Sequence, residues 1–304
     1  MVKPKVSVIL PVYNGENTIA TTLESLVNQT FKDFELVCCI DGTNDESEII
    51  INSFRDKFKK LTILKNQLNR GLGATMNRLM TNTKGEYIAI AEQDDYYYTT
   101  RLEKQVKVLD ENVTVGLVSG IADFWNGEKI VMQFPGILVA GKQYPTGKEM
   151  FLLNYKKQVK VANSCTMIRK NVHVNNGLYF SVHYPSISVD WTYIMRFSLL
   201  SDIYGIQEPL VRLDRRNDRN SVTSNKNKQF LAAREVIRSF KYEFPELITE
   251  GDYKFSLMTE YIIELNNASN IKYCFLFVKN FILSPFDKRL YVSFNKRVLK
   301  KIFI

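Results

Sequence analysis

Apolar runs and polar breaks follow one another at a regular beat through the first third of the chain. Residues 5–12, KVSVILPV, form a continuous β-branched run, the mark of a strand buried on both faces. YNGENT then supplies turn residues, with Asn17 or Thr18 placed to cap a helix. That helix is expected from TIATTLESLVNQT, where Ile19, Leu23, Leu26 and Val27 recur at helical spacing. FELVCCI (34–40) predicts a second strand, DGTNDES a loop, ESEIIINSFRDKF a helix and LTILKN a third strand. GLGATMNRLMTNT predicts a further helix and GEYIAIAE a fourth strand.

This alternation with short loops predicts an α/β fold, a doubly wound, mostly parallel sheet with helices on both faces. Ligands of such sheets bind at the carboxyl ends of the strands. The polar clusters YNGEN, DGTNDES and EQDD all fall there. Past about residue 110 the rhythm loosens. VGLVSGIADFW and NSCTMIRK read as strands, DWTYIMRFSLL (190–200) as a helix, and residues 226–269 as helical. PLVRLDRRNDRNSVT (209–223) reads as a basic, turn-rich loop. Two domains are expected, one over 1–223 and a helical, basic-aromatic C-terminal extension over 224–304.

Composition narrows the chemistry. With 45% hydrophobic and 24% charged residues, the chain has the make-up of a soluble globular protein. The segment after Met1 has no apolar h-region, and no apolar run approaches the roughly 18 residues that span a bilayer, so a cytoplasmic location is expected. Cys38, Cys39, Cys165 and Cys274 show no metal spacing and read as reduced core residues. With His173 and His183 the only histidines, acid–base chemistry has to rest on carboxylates. The net charge is +9, but eight Lys/Arg against Asp287 between Ile271 and Ile304 supply +7 of it. The basic character belongs to the tail, and a nucleic-acid-binding body is disfavoured.

Asp94 and Asp95 end a strand as adjacent carboxylates. Such a pair is tolerated in water, or when a cation lies between them. Alone, it also suits an acidic helix start ahead of TTRLEKQVKVL.

The string VSVILPVYNGENTIATTLESLVNQTFKDFEL, with IDGTNDES, NRGLGATMNR, GEYIAIAEQDD and VDWTYIMR, resembles the family 2 glycosyltransferases, inverting enzymes of the GT-A fold. The resemblance covers roughly residues 4–223. It implies a nucleotide-sugar donor, a UDP-sugar, and a divalent metal, Mn²⁺ or Mg²⁺, neutralising the diphosphate leaving group. Asp95 and Asp94 are then metal ligands, with Asp94 also placed to accept from a ribose hydroxyl. The loop Pro11, Tyr13 and Asn14 lies against the base, and Asp41 reads it. Arg212 and Arg216, with Arg215, are implied to close over the diphosphate. Asp190 matches the general base that takes the acceptor hydroxyl's proton; as a helix N-cap it would have its pKa held down. Asn163, Ser164 and Cys165 fall where acceptor contacts lie in similar folds. The tyrosines 96–98 are expected to leave the strand into a loop.

The sequence departs from the family pattern at Ile40, Met76, Glu92 and Val189. Met76 stands where an Arg usually precedes the Asn, which leaves the roles of Arg70 and Arg78 open. Two rivals share the features described: a nucleotidyltransferase with a similar acidic metal site, and a catalytically inactive nucleotide-sugar-binding homologue. The first would want a Gly-rich basic loop after the first strand, and YNGENT has no basic residue.

The tail KNFILSPFDKRLYVSFNKRVLKKIFI interleaves basic and bulky apolar residues. Two placements suit it. It can pack as a core helix with a solvated basic face, or lie peripherally on the cytoplasmic face of an anionic membrane, each basic residue adding about 1 kcal/mol. The second agrees with the acceptors the resemblance implies, a polysaccharide or a lipid-linked saccharide.

Overall fold

A computed structural model of the protein describes residues 3–134, 143–158, 161–183, 188–216 and 226–302. The chain divides into two compact units, Met1–Asn154 with Val159–Val222, and Tyr155–Gln158 with Thr223–Ile304.

The first unit is built on a nine-stranded sheet. Its leading strands are β1 (Val6–Val12), β2 (Phe34–Asp41), β3 (Leu61–Asn66) and β4 (Tyr87–Ile90), with β5 (Asp95–Tyr97) close behind. Then come β6 (Val115–Trp125), β7 (Ile130–Phe134), β8 (Met167–Arg169) and β9 (Asp202–Asp214). The order is β3-β2-β1-β4-β8-β6-β9-β5, with β7 paired to β6. β1 to β4 are parallel, as the alternating pattern predicts. Beyond them β8 runs antiparallel to β4 and β6, β9 runs parallel to β6, and β5 antiparallel to β9.

Side-chain alternation along the strands makes two cores. Val6, Val8, Leu10, Leu36, Cys38 and Ile40 face one side. They meet Ile19, Leu23 and Leu26 of α1 (Ile19–Val27), Ile51 of α2 (Ser47–Ser53), and Leu102 and Val106 of α4 (Arg101–Glu111). Ile9, Val37, Cys39, Ile88 and Ile90 face the other. There they meet Met76, Leu79 and Met80 of α3 (Leu72–Thr81) and Val189, Tyr193 and Phe197 of α7 (Val189–Ser198). Cys38 and Cys39 therefore point to opposite faces, and both remain free thiols. α5 (Gly147–Lys157) and α6 (Lys170–Asn175) complete the elements before α7.

Several expectations change. Tyr96 and Tyr97 lie in β5, which β9 pairs residue for residue (Tyr96 with Arg212, Tyr97 with Val211), rather than in a loop. The basic stretch from 209 is strand as far as Asp214, and residues 217–225, including the expected boundary at 223, lie outside the described residues. Thr18 occupies the N-cap of α1 without capping it, because its hydroxyl donates back to the Gly15 carbonyl at 3.3 Å.

The second unit holds α8 (Lys226–Glu243), α9 (Glu250–Asn266), α10 (Asn270–Leu283) and α11 (Lys288–Ile302). The helical stretch expected over 226–269 is broken near Pro245. A new helix then starts on a capping box, with the Asp252 N–H donating to Thr249 Oγ1 (3.1 Å) and the Thr249 N–H to Asp252 Oδ2 (3.2 Å). Met258, Ile262, Leu265, Tyr273, Leu276 and Leu290 form its core. Cys274, expected in a core, is exposed on α10. Among the described residues no helix is long and apolar enough to cross a membrane.

Candidate active site

The acidic turn after β4 is pinned from below. The Ala91 N–H donates to the Ile9 carbonyl at 2.9 Å, which extends the β1–β4 pairing to the strand end. The Glu92 N–H donates to the hydroxyl of the fully buried Tyr97 at 2.6 Å. Thr22 of α1 donates to the carbonyls of both Gln93 (2.9 Å) and Asp95 (2.8 Å). Burial, and then the negative charge of Asp95, push the Tyr97 pKa well above its ordinary value, so this hydroxyl keeps its proton.

Held this way, Glu92, Asp94 and Asp95 bring one carboxylate oxygen each within 4.8 Å of one another. Asp95 is buried, while Glu92 and Asp94 are half-buried. Three hard oxygen donors of one sign, gathered at a strand end, fit a divalent cation that takes oxygen ligands. Glu92, a departure from the family pattern, thus stands within the same cluster as the two aspartates. Asn163, in a short 3-10 turn before β8, donates to Glu92 Oε1 at 3.1 Å. Ser164 and Cys165 beside it are buried.

Beneath the cluster lies Arg101, a fully buried cation on the first turn of α4. Its Nη2 donates to the carbonyls of Ile90 (2.7 Å) and Thr166 (3.1 Å), and its guanidinium lies 4.4 Å over the Tyr97 ring. This positive charge offsets part of the acidic turn's own field.

The loop after β1 is stitched to the same turn. Gln93 Oε1 accepts from the Tyr13 N–H at 2.8 Å, and its Nε2 donates to the Tyr13 carbonyl at 2.7 Å. Asn14 sits in the left-handed region (φ 51°), and Thr43 donates to its Oδ1 at 2.7 Å. The Gly15 N–H donates to Ser47 Oγ at 2.9 Å and the Glu16 N–H to Asp45 Oδ2 at 2.9 Å. Burial opposes ionisation of Asp45, but hydrogen bonds from Ser47, Glu16 and Thr43 outweigh it and lower its pKa. Pro11 is half-buried at the strand end, and Tyr13 is exposed.

Asp41, at the end of β2, is buried and holds the loop entering α3. Its Oδ1 accepts from Asn66 Nδ2 (2.7 Å) and the Arg70 N–H (2.9 Å), and its Oδ2 from the Gly71 N–H (3.0 Å). These bonds occupy three of a carboxylate's roughly four acceptor sites. Arg70 thus joins the site through its backbone. Arg78 turns to the end of β3, where Nη1 donates to the Lys65 carbonyl at 2.7 Å, and Met76 is core.

Arg212 is held between two rings, 4.6 Å from Tyr96 and 4.7 Å from Trp125. Arg215 lies 4.6 Å over Phe124. Arg216 is exposed and forked onto Asp214, with Nη2 to Oδ2 at 2.6 Å.

Asp190 stands on a different element. It is the second residue of α7, and Ser188, in the left-handed region, holds the N-cap position. Its Oδ1 accepts from the Trp191 N–H at 2.9 Å. Burial dominates over this bond and raises the Asp190 pKa, opposite to the direction a capping role implies. The segment before α7 is tied to α3, with Asn77 donating to the Phe180 carbonyl (2.8 Å) and Phe180 stacked on Tyr193 at 4.1 Å.

Gln93, Thr22, Thr43 and Arg101 carry no mark in the sequence reading, and Tyr97, expected in a loop, packs under the site from a strand. Gln93 had one available signal, its place between acids at a strand end.

Structural similarity agrees with this architecture. The staphylococcal TarS fragment 1–349 solved with UDP superposes with a TM-score of 0.59 at 20% identity, over 84% of this chain and 82% of that one. The mannosyltransferase PcManGT of Pyrobaculum calidifontis, solved with GDP-Man and Mn²⁺, gives 0.56 at 14% identity, over 99% and 89%. The fold is thus GT-A-like. In sequence, EpsE of Bacillus subtilis is 30% identical over 185 residues, 58% of this chain and 66% of that protein. The Escherichia coli protein WfaP, a UDP-Glc:alpha-D-GlcNAc-diphosphoundecaprenol beta-1,3-glucosyltransferase, is 28% identical over 239 residues, 77% of this chain and 86% of its own. An uncharacterised glycosyltransferase of Methanocaldococcus jannaschii is 38% identical over 120 residues, only 41% of its length. The chain thus spans less than two thirds of several of the curated relatives it matches. The family model described as Glycosyl transferase family 2 matches residues 7–175, more than half of the chain, and the protein belongs to that family.

Proposed function

We propose that the protein is an inverting glycosyltransferase that moves a sugar from a nucleotide-diphosphate sugar, specifically a UDP-sugar, to a hydroxyl of a polysaccharide or lipid-linked oligosaccharide. The observation that carries this reading is the cluster of Glu92, Asp94 and Asp95, locked through Gln93 to the backbone of the β1 loop. One turn thereby offers both a cation site and a wall for a nucleotide. The UDP donor and lipid-linked acceptor in WfaP's description and the UDP bound to TarS support the choice of donor and acceptor.

In this reading Asp94 and Asp95, with Glu92, hold Mn²⁺ or Mg²⁺, which neutralises the charge of the departing diphosphate. Pro11, Tyr13 and Asn14 form the shelf for the base. The remaining acceptor site of Asp41 takes the base N–H, and the Arg70–Gly71 loop it organises borders the same edge. Arg212, stacked between Tyr96 and Trp125, is a preorganised cation for the diphosphate. Arg216 is a weaker candidate, because reaching the donor costs it the Asp214 pair. Asp190 takes the acceptor hydroxyl's proton as that oxygen bonds to the anomeric carbon and the bond to the nucleoside diphosphate breaks. A carboxylate raised in pKa by burial is a stronger base than an exposed one.

The test is calorimetric titration of the protein with UDP, GDP and CDP, in Mn²⁺ and then in EDTA. Metal-dependent binding that prefers UDP, and that Asp95→Ala abolishes, is expected. Absence of nucleotide binding with every metal refutes the reading.

A further inference from the structure

α10 is apolar on both sides. Tyr273, Leu276 and Asn280 turn inward and are buried. Opposite them Ile271, Phe275, Val278 and Ile282 follow one another at spacings of four, three and four residues, within an arc of about 60°. These four are 88%, 70%, 58% and 75% exposed, and Phe286 just beyond the helix is 92% exposed. A soluble helix normally turns one stripe to its core and a polar face to water. A second continuous stripe of large side chains marks a surface that meets a partner.

Charge identifies the partner's chemistry. Lys272 and Lys279 border the stripe along one side and are exposed, as are Lys288 and Lys296 on α11. From Ile271 to Ile304 the one acid is Asp287, and its carboxylate is engaged by Arg289 at 2.6 Å. Lys272 is paired with Glu264 of α9 at 3.3 Å, so Lys279, Lys288 and Lys296 carry the positive edge of the apolar stripe. An apolar stripe edged by cations matches an anionic lipid bilayer: acyl chains for the stripe, headgroups for the lysines. The face is a single exposed helix side, and no described helix is long and apolar enough to cross a membrane, so the docking proposed for it is peripheral.

We propose that the outward face of α10 docks on an anionic membrane surface. This goes beyond the glycosyl-transfer reading and does not depend on which sugar moves.

The experiment is flotation of the full-length chain with phosphatidylcholine vesicles, with and without phosphatidylglycerol, at low and high salt. The same preparation is titrated with UDP and Mn²⁺, so failure of the donor site and failure of the docking face are read separately. Binding to the anionic vesicles, weakened by salt, is expected. Phe275→Asp with Ile282→Asp should abolish it, and Lys279→Glu with Lys288→Glu should weaken it more than about tenfold. Both pairs are exposed, so folding and nucleotide titration should be unchanged. If the chain floats with neither vesicle type, or if the aspartate pair floats like the parent, the proposal is overturned. It is also overturned if sedimentation shows a dimer that Phe275→Asp dissolves while no vesicle binds, which would give the face to a second copy.

Discussion

Gln93 grips the backbone of Tyr13 from both sides, accepting from its N–H at 2.8 Å and donating to its carbonyl at 2.7 Å. The amide imitates a neighbouring strand and ties the acidic turn to the β1 loop. Gln93→Ala removes both bonds, at about 1 kcal/mol each. It should weaken UDP binding by about tenfold in calorimetry while the far-ultraviolet circular dichroism stays unchanged. Gln93→Glu, which keeps an acceptor but loses the donor and adds a fourth negative charge, should also weaken it.

Asp95→Asn should abolish the metal dependence of UDP binding, lowering affinity in Mn²⁺ by at least about a hundredfold. It should not lower the melting temperature, since removing one of three clustered carboxylates relieves repulsion in the metal-free protein. Titration and thermal melts in EDTA check the two halves separately.

Asp190 gives opposite signs for activity and stability. Burial raises its folded-state pKa above the ordinary 3.8, so the folded protein binds that proton more readily than the unfolded chain. The stabilisation from this site is present below the unfolded pKa and lost as pH rises through the folded one. Asp190→Asn carries no charge, so it should be more stable than the parent at neutral pH while losing about 10²- to 10⁴-fold in kcat. In the parent, the acid limb of kcat/KM should lie above the range of an ordinary aspartate. Asp45, whose pKa is lowered, acts the other way: its contribution holds above the unfolded pKa and is lost as pH falls through the folded one.

Arg101→Met should cost about 3 kcal/mol, because the Ile90 and Thr166 carbonyls lose a buried charged donor and the Tyr97 ring its stacked cation. Arg101→Lys should recover only part, since an ammonium cannot reproduce the planar fork over Tyr97. Denaturant unfolding measures both.

Gly42 adopts φ +70°, and a Cβ there would lie 2.3 Å from the Asn69 backbone nitrogen. Gly42→Ala must therefore displace the loop that Asp41 holds. A loss of about 2 kcal/mol or more is expected, together with weakened UDP binding. Chemical denaturation and titration of the same variant check it.

The run of strands and helices through residue 90 was legible because its strands stand out as short apolar runs between turn signals and its helices carry apolar residues at fixed spacing. The acids at the strand ends were legible for the same reason, since an apolar run that stops at a carboxylate locates it at a strand end. Local pattern could not show which strand lies beside which. The pairing of β5 with β9, which puts Tyr96 on Arg212, joins residues more than a hundred positions apart. Neither could it show which side chains serve the site from beneath. Thr22 and Arg101 read as ordinary helix residues and Tyr97 as a loop residue, and only the packed fold turns them toward the acidic turn. The direction of the Asp190 pKa was settled in the same way, because desolvation depends on everything packed around a group and a sequence states only what precedes and follows it.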